Sequence, residues 1–221
     1  YLKTHKPKSK VIIVDKKDKF SKQGLFTQAF ERHYKGIIEW RKAADTNGGV
    51  IRVDAKAGTV STEFDDMNPA VAKIIPAQKA GAIAETAGLT DDSGWCPISG
   101  QTFESTIHKD IHVVGDAAIQ SPLPKSGYAA NSEAKVVAAA VVELVNGREA
   151  PTPSWVNTCY SIVAPNDGIS VAMVYNLVDG KVAKVKGSGG LTPADSSPED
   201  RAREVQYAYS WFNNITHDIF G

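Results

Sequence analysis

Residues 112–142, HVVGDAAIQSPLPKSGYAANSEAKVVAAAVV, constrain the fold of this chain more than any other segment. Residues 112–114 lead into Gly115-Asp116 as a buried strand would, a loop follows, and a helix rich in Ala and Val then opens on Lys125, Ser126 and Gly127. A carboxylate at the tip of a strand is placed to bind a sugar hydroxyl, and the N–H groups at the following helix start turn the positive end of its dipole toward an electron-rich ligand. That order of elements forms the floor of a nucleotide-type cofactor site and predicts an α/β fold. The helix spacing over 132–146 has almost no polar face, which predicts burial, and Gly147 closes it.

The remaining segments extend this reading. Residues 8–15, KSKVIIVD, form an apolar run between lysines and predict a parallel strand buried on both faces. Asp15 occupies the place of a ribose-binding carboxylate but reads better as a solvated strand end. Leu25, Phe26, Ala29, Phe30 and His33 recur at helical spacing over 21–35, with His33 at or near the surface. Residues 36–41, 49–54 and 59–64 alternate with period two and predict a small antiparallel meander. Residues 71–76 predict a returning strand, 80–87 a short helix ended by Gly88, and 94–110 a loop-rich stretch.

Pro151 and Pro153 mark a boundary near residue 150. Beyond it, strands are expected over 158–163, 170–177 and 181–186, the last two joined by Asp179-Gly180 as a type I′ turn. Ser197 can cap a final helix that begins at Pro198, takes Glu199 and Asp200 in its first turn, and runs to about Asn214.

Composition excludes several functions. Lys plus Arg and Asp plus Glu number 25 each, so no charge excess points to nucleic acid or an anionic membrane. No apolar run approaches the roughly 20 residues of a membrane-spanning helix, and no signal peptide is present. Cys96 and Cys159 give neither a disulfide framework nor a zinc spacing. His108 and His112 are four apart, but in a strand-like stretch that pair shares no helical face, so no metal site is expected. A GxGxxG turn for a pyrophosphate is missing, since Thr192 stands where Gly187-Ser-Gly-Gly would need its last glycine. With Tyr1 in place of Met, these 221 residues are expected to be the C-terminal part of a longer protein.

Five phrases together carry a resemblance: GWCP at 94–97, TFESTIH at 102–108, GDAAIQSPLPKSGYAANS at 115–132, NTCYSIVAPNDGISVA at 157–172 and EVQYAYSWFNNITHDIFG at 204–221. They resemble the flavoprotein subunit of flavocytochrome c sulfide dehydrogenase, one of the two-dinucleotide-binding-domain (Rossmann-like) flavoproteins, almost continuously from Lys10 onward. The resemblance implies the remainder of a second, NAD-like domain over 1–75, whose pyridine-nucleotide site is vestigial. It implies the second part of the FAD domain over 76–150 and a C-terminal α+β interface domain over 151–221.

It also assigns roles. Asp116, after Gly115, would bond the ribityl chain of FAD, while Lys125, Ser126 and Gly127 would face the N1/O2 edge of the reduced flavin. A solvated loop lysine is the lesser alternative for Lys125. Cys159 would belong to a redox-active disulfide that sulfide attacks and that passes electrons to the flavin, its partner lying upstream of this sequence. Cys96 reads as a packed or half-exposed thiol, and sequence alone leaves a pairing with Cys159 open.

Trp211 would lie near the flavin and the sulfide pocket, although an aromatic stripe at helical spacing also reads as core; Tyr207 and Phe212 read as packing residues. The cysteine that tethers FAD and the GxGxxG turn are expected upstream, haem only on a c-type cytochrome partner subunit, and the whole in a bacterial periplasm. Two alternatives stand beside this reading: a quinone- or NAD(P)H-linked flavin oxidoreductase of the same fold, and a non-catalytic module that docks a cytochrome without its own flavin.

Overall fold

A computed structural model describes residues 1–221 and divides them into two compact units, 1–76 and 77–221. The first unit opens with one helical turn, α1 (Leu2–His5), before β1 (Val11–Val14). β1 pairs in parallel with β2 (Ile38–Arg41), Val11 opposite Ile38 and Val14 opposite Arg41. Parallel neighbours need a long crossover, and α2 (Gln23–Tyr34) supplies it, burying Leu25 and Ala29. Phe20 meets Trp40 of β2 edge-on, with ring centroids 5.1 Å apart.

The parallel strand over 8–15 is therefore present, but it is not buried on both faces. β1 and β2 form a two-stranded sheet, and Ile12 and Ile13 remain 40% and 38% exposed. The segment 36–41 belongs to this parallel pair rather than to the meander. After α3 (Ala43–Thr46), the meander consists of β3 (Arg52–Asp54), β4 (Thr59–Ser61) and β5 (Asp66–Met67), antiparallel throughout. Residues 71–76 are not a strand: no neighbour pairs with them, and Val71 and Ile75 are exposed.

The second unit begins with α4 (Ala82–Thr86), ended by Gly88 in the left-handed region. β6 (Cys96–Pro97) runs parallel to β7 (Ala118–Ile119). The strand expected before Gly115 reduces to one bridge between His112 and Glu104, and Gly115–Ala117 form a 3-10 turn. Extension stops there because Gly115 takes φ +74° and its N–H turns inward to a side chain, so the paired strand follows Asp116 instead of preceding it.

The next helix, α5 (Gly127–Val145), starts one turn and more before the apolar spacing does, because Ser126 caps it by accepting the Ala129 N–H at 3.1 Å. It is not buried all round: Ala129, Glu133 and Ala140 are buried, whereas Val142, Leu144 and Val145 are exposed. One side of the helix meets the core, and its last turn projects beyond it.

β8 (Ser154–Ala164) and β9 (Asp167–Val178) form a long antiparallel hairpin, with a register shift between Ile162 and Ala164. The other edge of β9 takes β10 (Lys181–Lys184) and then β11 (Gly190–Leu191). Asp179 and Gly180 both have positive φ, as the expected type I′ turn requires. Alternation gives this sheet two faces. On one, Trp155 and Tyr175 join Phe103, Leu123 and Ala129 in the main core, Phe103 and Trp155 meeting at 5.9 Å.

The other face carries α6 (Pro198–Phe220), which runs past the expected end near Asn214. Ser197 accepts the Asp200 N–H at 3.1 Å, and Pro198 occupies the first turn. A Cβ on Gly168 would come within 2.8 Å of Val205 N, so glycine there lets helix and strand approach. Arg201 and Asp167, both almost fully buried, form an ion pair at 3.4 Å, and Glu204 accepts hydrogen bonds from Ser170 and Thr192, each at 3.1 Å.

Candidate functional site

The Gly115-Asp116 turn is built from inside. Gly115 N–H donates to Glu133 Oε2 at 2.6 Å, and Gln120 Nε2 donates to the Gly115 carbonyl at 3.2 Å. With its backbone anchored to two buried side chains, the turn leaves the Asp116 carboxylate at the surface, available to a ligand hydroxyl.

Lys125 folds back over the same turn. Its Nζ donates to the carbonyls of Asp116 and Ala118 and lies 3.7 Å from the centre of the Trp95 ring. Although the residue is on the surface, loss of water around the ammonium pulls Lys125 below the usual lysine range, opposed chiefly by the Asp116 carboxylate. The solvated-lysine reading is thereby replaced by an ammonium tied to the turn.

Ser126 does two things. It caps α5, and its hydroxyl donates to Asn157 Oδ1 of β8 at 2.6 Å. This fastens the start of the helix to the strand. Gly127 is exposed, and a Cβ there would meet nothing within 4 Å, so the start of the helix is open to its surroundings at that residue. An exposed carboxylate, an ammonium tied to the turn and the exposed start of α5 lie together here, a set of groups whose chemistry fits the sugar and electron-rich edge of a flavin.

Cys159 is exposed on β8, two residues beyond Asn157 and hence on the same strand face, about 7 Å further along. Cys96 is buried in β6, and the two cysteines form no disulfide with each other. Burial pushes the Cys96 thiol up, Lys125 opposing, so it is suited to packing rather than nucleophilic chemistry.

Trp211 stands elsewhere. It stacks on Tyr128 of α5 with centroids 5.6 Å apart and planes 14° apart, and approaches Tyr160 at 6.3 Å. These rings line a groove of about 490 Å³ with Lys135 and Asp218, themselves paired at 2.7 Å. Burial pushes the Tyr160 hydroxyl up. Cys159 is not part of that lining. Tyr207 and Phe212 are 51% and 56% exposed, contrary to the packing expected of them. α6 meets its sheet through Arg201, Val205 and Ala208; Tyr207 lies off that stripe, while Phe212 continues it by spacing but stands beyond its last buried residue.

Asp15 accepts the Lys17 N–H at 3.0 Å in a local turn at its strand end. No cluster of three or more His, Cys, Asp or Glu is placed to hold a metal, and no helix is long and apolar enough to cross a membrane. Sequence reading missed Glu133, Gln120 and Asn157. The available signals were a glutamate in an Ala/Val helix and an asparagine two residues from a core tryptophan in one strand.

Two family models match parts of the chain. Residues 151–220 match the family described as flavocytochrome c sulphide dehydrogenase, flavin-binding, which puts the chain in the class of flavoprotein subunits of oxidoreductases. Residues 1–76 match the central region of the sulfide dehydrogenase [flavocytochrome c] flavoprotein chain. The chain belongs to the flavocytochrome c sulphide dehydrogenase flavoprotein family. Membership implies a flavin cofactor and a cytochrome partner subunit.

Proposed function

We propose that this chain forms part of a flavin subunit that oxidises sulfide and delivers the electrons to a c-type cytochrome subunit. The observation that carries the reading is the convergence, in a member of this family, of Asp116, Lys125 and the start of α5 with a strand that presents Cys159. FAD, when bound, supplies a two-electron acceptor that can hand electrons on singly.

The residues of this chain hold and orient it. Asp116 takes the ribityl hydroxyls, Gly115 sets the turn, and the amides after Ser126 and Gly127, with Lys125 nearby, favour negative charge at the N1/O2 edge. Cys159 contributes one sulfur of a disulfide whose other cysteine belongs to a preceding segment, as do the GxGxxG turn and the flavin-attachment cysteine. Hydrosulfide attacks that bond, a new sulfur–sulfur bond forms, and the other cysteine leaves as thiolate, so the exchange itself needs no external oxidant. Trp211 shapes a neighbouring aromatic surface. In the parent protein, 1–75 completes a second dinucleotide domain, 76–150 the FAD domain, and 151–221 the interface domain, in a bacterial periplasm.

The visible spectrum before and after sulfide, with an intact mass on the same sample, tests this. Flavin bands that bleach on sulfide addition, with a mass well above 23.7 kDa, are expected. A flavin-loaded protein that sulfide leaves oxidised would refute the substrate.

A further inference from the structure

The proposed chemistry leaves one buried ionisable group unused. Glu133 is 0% exposed, in the second turn of α5, facing the Gly115-Asp116 turn. Its Oε2 accepts the Gly115 N–H, but its Oε1 is buried and finds no donor. Gln120, whose carboxamide lies within reach of the same carboxyl, also has a buried Oε1 without a donor.

The cluster therefore has too few hydrogens. Its acceptors are two carboxyl oxygens, one carboxamide oxygen and the Gly115 carbonyl; its donors are the Gly115 N–H and the Gln120 amide. An ionised Glu133 would bury a charge with one oxygen bare, an arrangement that costs more than a neutral unsatisfied group. One proton on Oε1 removes the charge and turns an acceptor into a donor. The charged groups facing it are Asp116, which opposes ionisation, and Lys125, which favours it but spends its ammonium on the carbonyls of Asp116 and Ala118.

We infer that Glu133 stands as a neutral carboxylic acid and is the positioning residue of the Gly115-Asp116 turn, so that loss of its proton releases the turn that presents Asp116. Burial, the largest influence, raises the carboxyl above its ordinary range; the Gly115 N–H, the Gln120 carboxamide and Lys125 oppose it, and Asp116 adds to it. A group raised in the folded state contributes its stability fully below the unfolded value of about 4.3 and loses it as pH rises through the folded value. The turn is therefore tight in acid and loosens toward alkaline pH.

The inference rests on the flavin reading only for what the turn serves. The test is the infrared carbonyl region of the full-length, flavin-loaded protein at about pH 6, where an ordinary glutamate is ionised. It is combined with amide exchange at Gly115 and Asp116 across pH. The wild type should show a protonated-carboxyl band that Glu133→Gln lacks. Its turn should lose protection with rising pH beyond the intrinsic rate, while the glutamine variant, which mimics the neutral acid, stays flat. If the variant does not fold, ¹³C-carboxyl titration of glutamate in the wild type reads the same proton. An ionised Glu133 at that pH, or identical exchange profiles in the two proteins, would overturn the inference. A full-length protein that purifies without flavin, takes up none when FAD is added and still shows the Glu133 band would sink the flavin reading and leave this one standing.

Discussion

Replacing Ser126 with alanine should cost far more than a surface serine normally does, because its hydroxyl serves two bonds at once. It accepts the Ala129 N–H as the cap of α5 and donates to Asn157 Oδ1 of β8. Loss of the cap is worth about 1 kcal/mol. Asn157 is only 4% exposed, so its bared oxygen adds about 1–3 kcal/mol. The sum is about 3 kcal/mol, a sizeable part of the 5–15 kcal/mol typical of a domain. At roughly 2–4 °C per kcal/mol, melting of the second unit should fall by about 6–12 °C. Differential scanning calorimetry of Ser126→Ala, Asn157→Val and the double variant measures it. Removing Asn157 as well takes away the orphaned oxygen, so the double variant should recover about 1–2 kcal/mol relative to the sum of the singles. Strict additivity, or a Ser126→Ala cost below about 0.5 kcal/mol, would refute the bridge between helix and strand.

Three further changes address the proposed chemistry and the fold. In the full-length protein, Cys159→Ser should leave flavin bound and abolish its reduction by sulfide; unchanged turnover in stopped-flow absorbance would remove Cys159 from the reaction. Asp116→Ala should lower flavin occupancy, read as the ratio of visible to protein absorbance, because the anchored turn would present a methyl group to the ribityl hydroxyls; full occupancy would end that assignment. Arg201→Ala should cost about 3–5 kcal/mol in urea unfolding by leaving Asp167 buried without the guanidinium that faces it. A loss under about 1 kcal/mol would show that the pair does not secure α6.

What could be read in advance was governed by local rules. The Asp179-Gly180 turn depends on two positive φ values, the Ser197 cap on one side chain and the next amides, and the α2 helix on three- and four-residue spacing. Each is decided within a few residues. The misreadings arose where a partner distant in sequence decides. An apolar run such as 71–76 becomes a strand only beside another strand, and none lies beside it. The residues before Gly115 look like a strand, but Glu133, eighteen positions on, takes the Gly115 N–H and bends the chain instead. The candidate site could be picked out by residue type and not by its supports: Asp116 and Lys125 stand out by motif, while Glu133 and Asn157 act through contacts that spacing does not announce.

The two faces of β8 separate Cys159 from Trp211, two residues expected around one pocket. Trp155, Asn157 and Cys159 alternate onto the face shared with the core and the start of α5, whereas Tyr160 turns to the face covered by α6 and touches Trp211. Because the pairing with β9 is regular from Ser154 to Ile162, no bulge brings Cys159 round to the groove. The link between thiol and tryptophan passes through α5 instead, which offers Ser126 to one face of the strand and, two residues later, Tyr128 to Trp211. A shift at the α5 cap would therefore be felt on both sides of the sheet, by displacing the amides near the strand that carries Cys159 and the ring that supports Trp211. Stiffness at that one helix start, set by Ser126, Asn157 and the buried Glu133, is the physical requirement common to the Gly115-Asp116 turn, the strand that carries Cys159 and the aromatic groove.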